Sequence, residues 1–359
     1  MRKKMPIQEK NTFKNFFKKK PLKKAALRTK LSVMNDVTVI IPAYNEEKVI
    51  DECLASLVTQ SVKNFKAIII DDASTDATVR KIKEFSQKFP DLIELRQYGK
   101  VGPGKARNIA AREVSSEFIA FMDADCIATP RWLEELLKGF TDPSVGSVGG
   151  PHIAPLQSSS FQLYVEDFFI RSSLVVDFYK PKKNEIIEVP HNPLCNVAYR
   201  RGVFQAAKGF REDLFPGEDT EIDFKVLDLQ YKIFYNPQAL VYHHRPENIE
   251  QFKKVMHAYG RAQGKLIREY GLRRKIQKWG ILAIALLTFS CAYLIAKFLW
   301  IGLLASAVIL GVVFFIRPKW NSKLGIYMNA FQWFNGLIEG LITMKSLPPG
   351  YQAKKKAAD

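Results

Sequence analysis

Two acidic signatures, each just past an apolar run, are the residues here that could do chemistry. Asp71-Asp72-Ala73-Ser74 follows the run 65–70, and Asp123-Ala124-Asp125 follows the run 118–122. Short β-rich runs ending in carboxylates are how an open α/β sheet presents acids at the carboxyl ends of its strands, where ligands bind. A period of two sets Asp123 and Asp125 on the same side of an extended segment. Two carboxylates so placed suit a hard divalent cation, which completes its shell with substrate phosphates. The spacing therefore points to a metal-bound diphosphate.

The elements that must position these acids alternate in type. A strand over 37–41 is stopped by Pro42. Asn45 is expected to cap a helix with Glu46 and Glu47 in its first turn and Val49, Ile50, Cys53, Leu54 and Leu57 on its apolar face. Further strands are expected over 65–70, 92–95, 118–122 and 145–150, with helices from Ser74 or Thr75 to Phe89, over 105–113 after Gly102-Pro103-Gly104, and after Thr129-Pro130. Residues 155–195 lack a clean period. A helix over 218–229 and closing strands at 233–235 and 239–242 complete the pattern, which has no internal repeats. Strands alternating with helices imply βαβ units, a mostly parallel sheet and right-handed crossovers.

Charge is uneven along the 359 residues, whose net charge is +18. Residues 1–34 form a basic amphipathic or disordered arm, with twelve Lys and Arg against Glu9 alone in the first thirty and with Phe13, Phe16 and Phe17 interleaved. Anionic lipid is the partner expected for it and nucleic acid is not, the bland alternative being a solvated tail. The arm has no apolar h-region and does not read as a secretory signal. Cys53, Cys126, Cys195 and Cys291 have no metal-ligand spacing and read as small buried hydrophobes in a reducing compartment.

Apolar runs over 281–296 and 298–316 are separated only by Lys297. Together they are far longer than the ~20 residues one membrane-crossing helix needs, so a transmembrane hairpin over 279–316 is expected. Basic flanks on both sides place the rest of the chain on the cytoplasmic side of a multi-pass protein. The alternative is a buried core hairpin. Residues 246–278 read as a helical connector at the membrane surface. Residues 317–347 read as an interfacial helix packed against the hairpin, or a third membrane helix, with Asn329, Gln332, Gly336, Glu339 and Thr343 as its polar stripe. A basic tail over 348–359 ends the chain.

The ordered set Val39-Ile40-Ile41-Pro42-Ala43-Tyr44-Asn45-Glu46, Asp71-Asp72-Ala73-Ser74-Thr75-Asp76, Gly104-Lys105-Ala106-Arg107-Asn108, Asp123-Ala124-Asp125 and Gly217-Glu218-Asp219 resembles the motifs of family 2 glycosyltransferases. The resemblance covers about 35–245. It implies an α/β, GT-A-type nucleotide-binding sandwich with a mostly parallel central sheet, followed here by the C-terminal transmembrane helices. It also implies a nucleotide-sugar donor, Mg²⁺ or Mn²⁺, and inversion at the anomeric carbon. The donor is expected to be a UDP-sugar ahead of a GDP-sugar, and the acceptor a lipid-linked or other membrane-associated glycan.

Carried over position by position, the resemblance puts Pro42, Ala43, Tyr44 and Glu46 beside the donor and makes Asp72 the nucleoside contact. Lys105 and Arg107 start a helix where anions bind, or are solvated cations. Asp123 would face ribose and metal, and Asp125 would ligate the metal. Asp219 would be the catalytic base and Glu218 an acceptor-side residue, whereas Glu221 and Asp223 read as a solvated helix face. His243 matches a "V-x-H" element that approaches the diphosphate or metal, or is structural. His191 and Asn196 fall on the acceptor-side segment. The Gln-x-x-Arg-Trp element of processive synthases is absent, which favours a non-processive enzyme. Lys225 stands where the acidic helix often has arginine. A processive synthase and a catalytically silent membrane scaffold are the remaining alternatives.

Overall fold

The structure, a computed structural model, describes residues 36–172 and 184–273, residues 286, 288–290, 293 and 329, and residues 332–342. The chain runs β1 (Val37–Ala43), α1 (Ile50–Val58), β2 (Phe65–Asp71), α2 (Thr78–Lys88), β3 (Ile93–Gln97), α3 (Pro103–Glu113), β4 (Phe118–Met122), β5 (Cys126–Ala128) and α4 (Trp132–Lys138). Then come β6 (Val145–Gly149), β7 (His152–Ile153), α5 (Ser160–Ser172), β8 (Ile187–Glu188), β9 (Asn196–Arg200) and α6 (Arg201–Ala206). The order continues with α7 (Glu218–Asp228), β10 (Lys232–Tyr235), β11 (Val241–His243), α8 (Ile249–Tyr270) and α9 (Gln332–Ile342).

Eight strands form one sheet in the order β3-β2-β1-β4-β9-β6-β10-β8. Its first four strands are parallel, while β9 is antiparallel to β4 and β6, and β8 to β10. Both faces are covered, which is why β1 and β2 are near-continuous β-branched runs rather than alternating ones. Val39, Ile41 and Ile69 pack on one face with Cys53, Leu54 and Leu57 of α1. Ile40, Ile68 and Ile70 pack on the other with Ala106 and Ala110 of α3 and Ile222 and Val226 of α7. Full burial of each Val, Leu or Ile among them contributes about 1.5–3 kcal/mol. A second sheet, β5-β11-β7, pairs Cys126 directly opposite His243.

The first helix differs from the expected one. Asn45 lies in the left-handed region (φ 57°) and does not cap it, and α1 begins only at Ile50. The Asn45 side chain instead accepts from the Thr75 N–H at 2.8 Å, and Glu47 accepts from the Ala77 N–H at 3.0 Å. Glu46 and Glu47 therefore lie before the helix and line a cavity with Asp76 and Asp125.

The connector is a 22-residue helix, α8, capped by Asn248, whose side chain accepts from the Gln251 N–H at 3.0 Å. Its Phe252 and Met256 pack against Phe161, Val165, Phe168 and Phe169 of α5. Farther along the same stripe, Gly260 and Gly264 meet the α9 backbone at Trp333 and Leu337, while Gly336 and Gly340 of α9 meet the α8 backbone at His257 and Arg261. A Cβ on any of these four glycines would fall about 2 Å from a backbone carbonyl oxygen of the opposite helix. Within 317–347, α9 packs on α8, and of the expected polar stripe Gly336 lies in that contact while Glu339 is exposed at its edge. Gly336 supplies the close approach, and Glu339 pairs with His257 at 3.1 Å.

No helix among the described residues is long and apolar enough to cross a membrane. The hairpin expected over 279–316 lies, apart from the few residues named above, outside the described residues, as do the arm 1–34 and the tail 348–359.

Candidate functional site

Parallel pairing of β1 with β2 and β4 brings their carboxyl ends to one edge of the sheet. The acids that follow β4 therefore stand beside the segment that follows β1. Hydrogen bonding of β11 to β5 then delivers His243 to the same place. His243 Nε2 is 3.3 Å from Asp125 Oδ2. One donor atom each from Asp123, Asp125 and His243 lies within 4.8 Å of the others.

The electrostatics of this cluster follow from its burial and its crowded carboxylates. Burial, then Asp125, Asp123 and Asp76, push the Glu46 carboxyl up to about 8. Burial also raises Asp123 to about 6 against the opposing pull of Arg107. Burial would raise Asp125 too, but the charge and hydrogen bond of His243 hold it below its ordinary value. Burial opposes a charge on His243, and Asp125 outweighs it, so the imidazole titrates well above its usual range. Two carboxylates and an imidazole fit Mn²⁺ or Mg²⁺ in ligand type, and a divalent ion would offset both the burial and the neighbouring carboxylates that raise Glu46.

The expected donor-side residues divide. Pro42 and Ala43 end β1, and Tyr44 is 40% exposed, with Lys100 Nζ 4.4 Å above its ring. Glu46 lines a cavity with Asp76, Asp125 and His243. Asp72 is buried, and its carboxylate accepts from Val101 N–H at 2.6 Å and Gly102 N–H at 3.0 Å. It thus fastens the loop that starts α3. Lys105 is exposed on α3, away from the residues lining the cavities described in this section.

Arg107 is not a solvated cation. It is 3% exposed, and its guanidinium bridges Asp123 at 2.5 Å and Glu218 at 3.3 Å. It ties the loop after β4 to the start of α7, and it also lines the cavity that holds Asp219.

On the acceptor side, Gly217 takes φ 109° to begin α7, a conformation costly for any other residue. The helix then presents Glu218 and Asp219 from its first turn, where the dipole favours carboxylates. Asp219 accepts from Thr220 N–H at 2.6 Å and Leu194 N–H at 3.4 Å, and its partly exposed side chain lines a second cavity. This cavity also touches Asp123, His191, Cys195, Phe215 and Glu218. The two cavities share Phe169, His243, Arg245, Val255 and Tyr259 along their walls.

Three expectations fail here. Glu221 and Asp223 are fully buried, not a solvated face. Asp223 accepts from Tyr199 O–H at 2.9 Å and Asn192 N–H at 2.9 Å, and meets His191 Nδ1 at 2.9 Å. Glu221 pairs with Lys225 at 2.9 Å. Asn196 is also fully buried; it accepts from Trp132 Nε1–H at 2.7 Å and donates to the carbonyls of Pro151 and Ala239. It locks β9 to its surroundings and is not one of the residues lining the second cavity.

Several site residues escaped the sequence reading. Asp223 is four residues after Asp219 on one helix face, a spacing that could have linked them. Arg245 follows His243 by two, the period of an extended segment, and its guanidinium contacts His243 Nδ1 at 3.2 Å and Glu166 at 2.6 Å. Nothing in the sequence marks Tyr259 or His152.

The sequence profile described as Glycosyl transferase family 2 matches residues 38–207. The chain is 29% identical over 218 residues to the pre-mycofactocin glycosyltransferase of Mycobacterium tuberculosis, a match covering 59% of this chain and 43% of that one. It thus spans less than half the length of that relative. Over 349 residues it is 22% identical to a dolichyl N-acetyl-alpha-D-glucosaminyl phosphate 3-beta-D-2,3-diacetamido-2,3-dideoxy-beta-D-glucuronosyltransferase of Methanococcus voltae, covering 87% of this chain and 100% of the relative. Among solved structures, the mannosyltransferase PcManGT from Pyrobaculum calidifontis in complex with GDP-Man and Mn²⁺ aligns with a TM-score of 0.57 at 19% identity, over 86% of this chain and 88% of that one. At that identity the likeness speaks for a shared α/β, GT-A-like fold.

Proposed function

We propose, on the premise that this chain belongs to glycosyl transferase family 2, that it is an inverting, metal-dependent enzyme. It moves one sugar from a nucleoside diphosphate donor to a lipid-linked or other membrane-associated acceptor. The observation that carries the reading is the adjoining pair of cavities, one bearing Glu46 and Asp125, the other Asp219, with His243 in the wall of both. A donor in the first would present its anomeric carbon toward the base in the second. UDP-sugars stand first among donors and GDP-sugars second. The PcManGT complex holds GDP-Man, so both belong in any test.

Asp123, Asp125 and His243 would hold Mn²⁺ or Mg²⁺, which when bound supplies Lewis-acid neutralisation of the diphosphate. Pro42, Ala43 and Tyr44 offer the base a fixed backbone edge and an exposed ring. Asp219 removes the proton of the acceptor hydroxyl while that oxygen attacks the anomeric carbon in line. The bond to the diphosphate breaks and its electron pair leaves with the nucleotide, so configuration inverts. For this, Asp219 must come within about 2.6–3.2 Å of the hydroxyl. Phe169, Phe215, Val255 and Ala262 give the acceptor cavity an apolar wall that suits an amphiphilic acceptor.

The apolar runs 281–296 and 298–316 support a multi-pass membrane protein with its catalytic domain on the cytoplasmic side. The basic arm would then meet anionic lipid.

The test is isothermal titration of the full chain with UDP- and GDP-sugars, with Mn²⁺ and with chelator. Binding should tighten with Mn²⁺, and Asp125→Ala should remove the difference. Equal donor affinity in both buffers rejects the cation argument.

A further inference from the structure

Cys126 and Cys195, isolated in sequence, meet in space. Pairing of β5 with β11 sets Cys126 opposite His243, and Cys195 arrives from the loop before β9. The two sulfurs and a ring nitrogen of His243 all lie within 4.8 Å of one another. Cys126 Sγ is also 3.9 Å from Asp125 Oδ1. Both thiols are free and buried, while Cys195 lines the acceptor cavity, which gives the cluster a route to solvent. The nearby guanidinium of Arg245 has its charge met by Glu166 at 2.6 Å.

Two donor sets of opposite character therefore share one imidazole. Asp123, Asp125 and His243 are oxygen-rich and suit Mn²⁺ or Mg²⁺. Cys126, Cys195 and His243 are sulfur-rich and suit Zn²⁺ or Cd²⁺, with a fourth position left open. Ligands about 2.0–2.3 Å from a tetrahedral ion sit closer together than the 4.8 Å limit, so closing the set takes rotamer-scale movement rather than refolding.

We propose that Cys126, Cys195 and His243 form a second cation site for a thiophilic divalent ion, and that filling it silences the oxygen-rich site by withdrawing His243 from Asp125. On binding, each thiol forms a metal–sulfur bond and releases its proton to solvent, and no group changes oxidation state. Ion capture stands on Cys126, Cys195 and His243. Only its inhibitory consequence rests on the reading of Asp123 and Asp125 given above.

Metal-stripped full chain is titrated with Cd²⁺ while the ultraviolet thiolate-to-cadmium charge-transfer band is recorded. A saturating band is expected. It should be lost in Cys126→Ser and Cys195→Ser, and kept in Cys291→Ser and Asp123→Asn. X-ray absorption of the Zn²⁺ form of the unaltered chain should show two sulfur ligands at about 2.3 Å, which needs no variant to fold. Oxygen and nitrogen ligands only, or an unchanged band in both serine variants, overturns the site. Mn²⁺-supported turnover should be lost with stoichiometric Zn²⁺ in the unaltered chain and retained in Cys126→Ser. Equal inhibition of the two overturns the silencing. Should no Mn²⁺-dependent turnover exist, the cadmium band still decides the site by itself.

Discussion

His191 Nδ1 lies 2.9 Å from Asp223 Oδ2, and its other nitrogen faces Asp219 at 3.9 Å. Asp223 accepts from the Asn192 N–H and the Tyr199 O–H and meets His191 Nδ1, so it fixes the ring that stands behind the candidate base. Asp219→Asn should lower kcat by ~10²–10⁴-fold with donor affinity retained. Asp223→Asn should cause a smaller loss, again in kcat rather than in donor binding. Steady-state kinetics beside nucleotide titration checks both, and full turnover in Asp219→Asn removes that residue from its role.

Arg107 is the cation between Asp123 and Glu218. Replacing it by Met leaves Asp123 facing a buried region unpaired. The cost should be about 3 kcal/mol, the low end for breaking a buried pair, because Asp123 keeps some contact with solvent. Urea unfolding measures it. A change under about 1 kcal/mol would place the bridge with ordinary surface pairs.

Stability should fall as pH rises through neutrality. Burial, opposed by Arg107 and helped by Asp219, raises Glu218 from 4.5 to about 8. Below 4.5 both folded and unfolded chains hold the proton, and the stabilisation is complete. Between 4.5 and about 8 the unfolded chain releases it and the folded chain does not, so stability declines and is lost above about 8. Glu46 acts in the same direction over the same window. Melting temperature against pH should therefore be flatter in Glu218→Gln, and an unchanged slope rejects the assignment.

Asn196→Ala should destabilise without touching acceptor kinetics. It strips partners from the Trp132 indole and two carbonyls, at about 1–3 kcal/mol for a buried group left unsatisfied. The check is denaturant midpoint beside acceptor KM. A raised KM at unchanged stability would return Asn196 to the acceptor side.

Gly340→Leu should detach α9 from α8, since its Cβ would fall 2.1 Å from the Arg261 carbonyl oxygen. Hydrogen exchange over 332–342 should accelerate while β1, β2 and β4 stay protected. Unaltered protection of α9 would show that the helices cross without needing these glycines.

The strands and their acids were legible in the sequence because apolar runs and the turns that stop them are local. Phe118 to Met122 is a strand in both readings, and Asp123 and Asp125 follow it on both. The Asn45 cap misled because the side chain found Thr75, thirty residues away, a better partner than its own helix. Acidic residues such as Glu221 and Asp223 read as solvated by type. Their burial depended on Lys225, His191 and Tyr199 being folded over them.

The sequence by itself determined the alternating α/β architecture, the glycosyltransferase motifs and the pair of aspartates after β4, because each is written in neighbouring residues. The tertiary structure alone decided that Arg107 bridges carboxylates, that His191 is held by Asp223, that α8 and α9 interlock through glycines, and that two distant cysteines share His243 with the aspartates. Those relations join residues far apart in the chain, and strand register and helix crossing, which no local pattern encodes, bring them within reach.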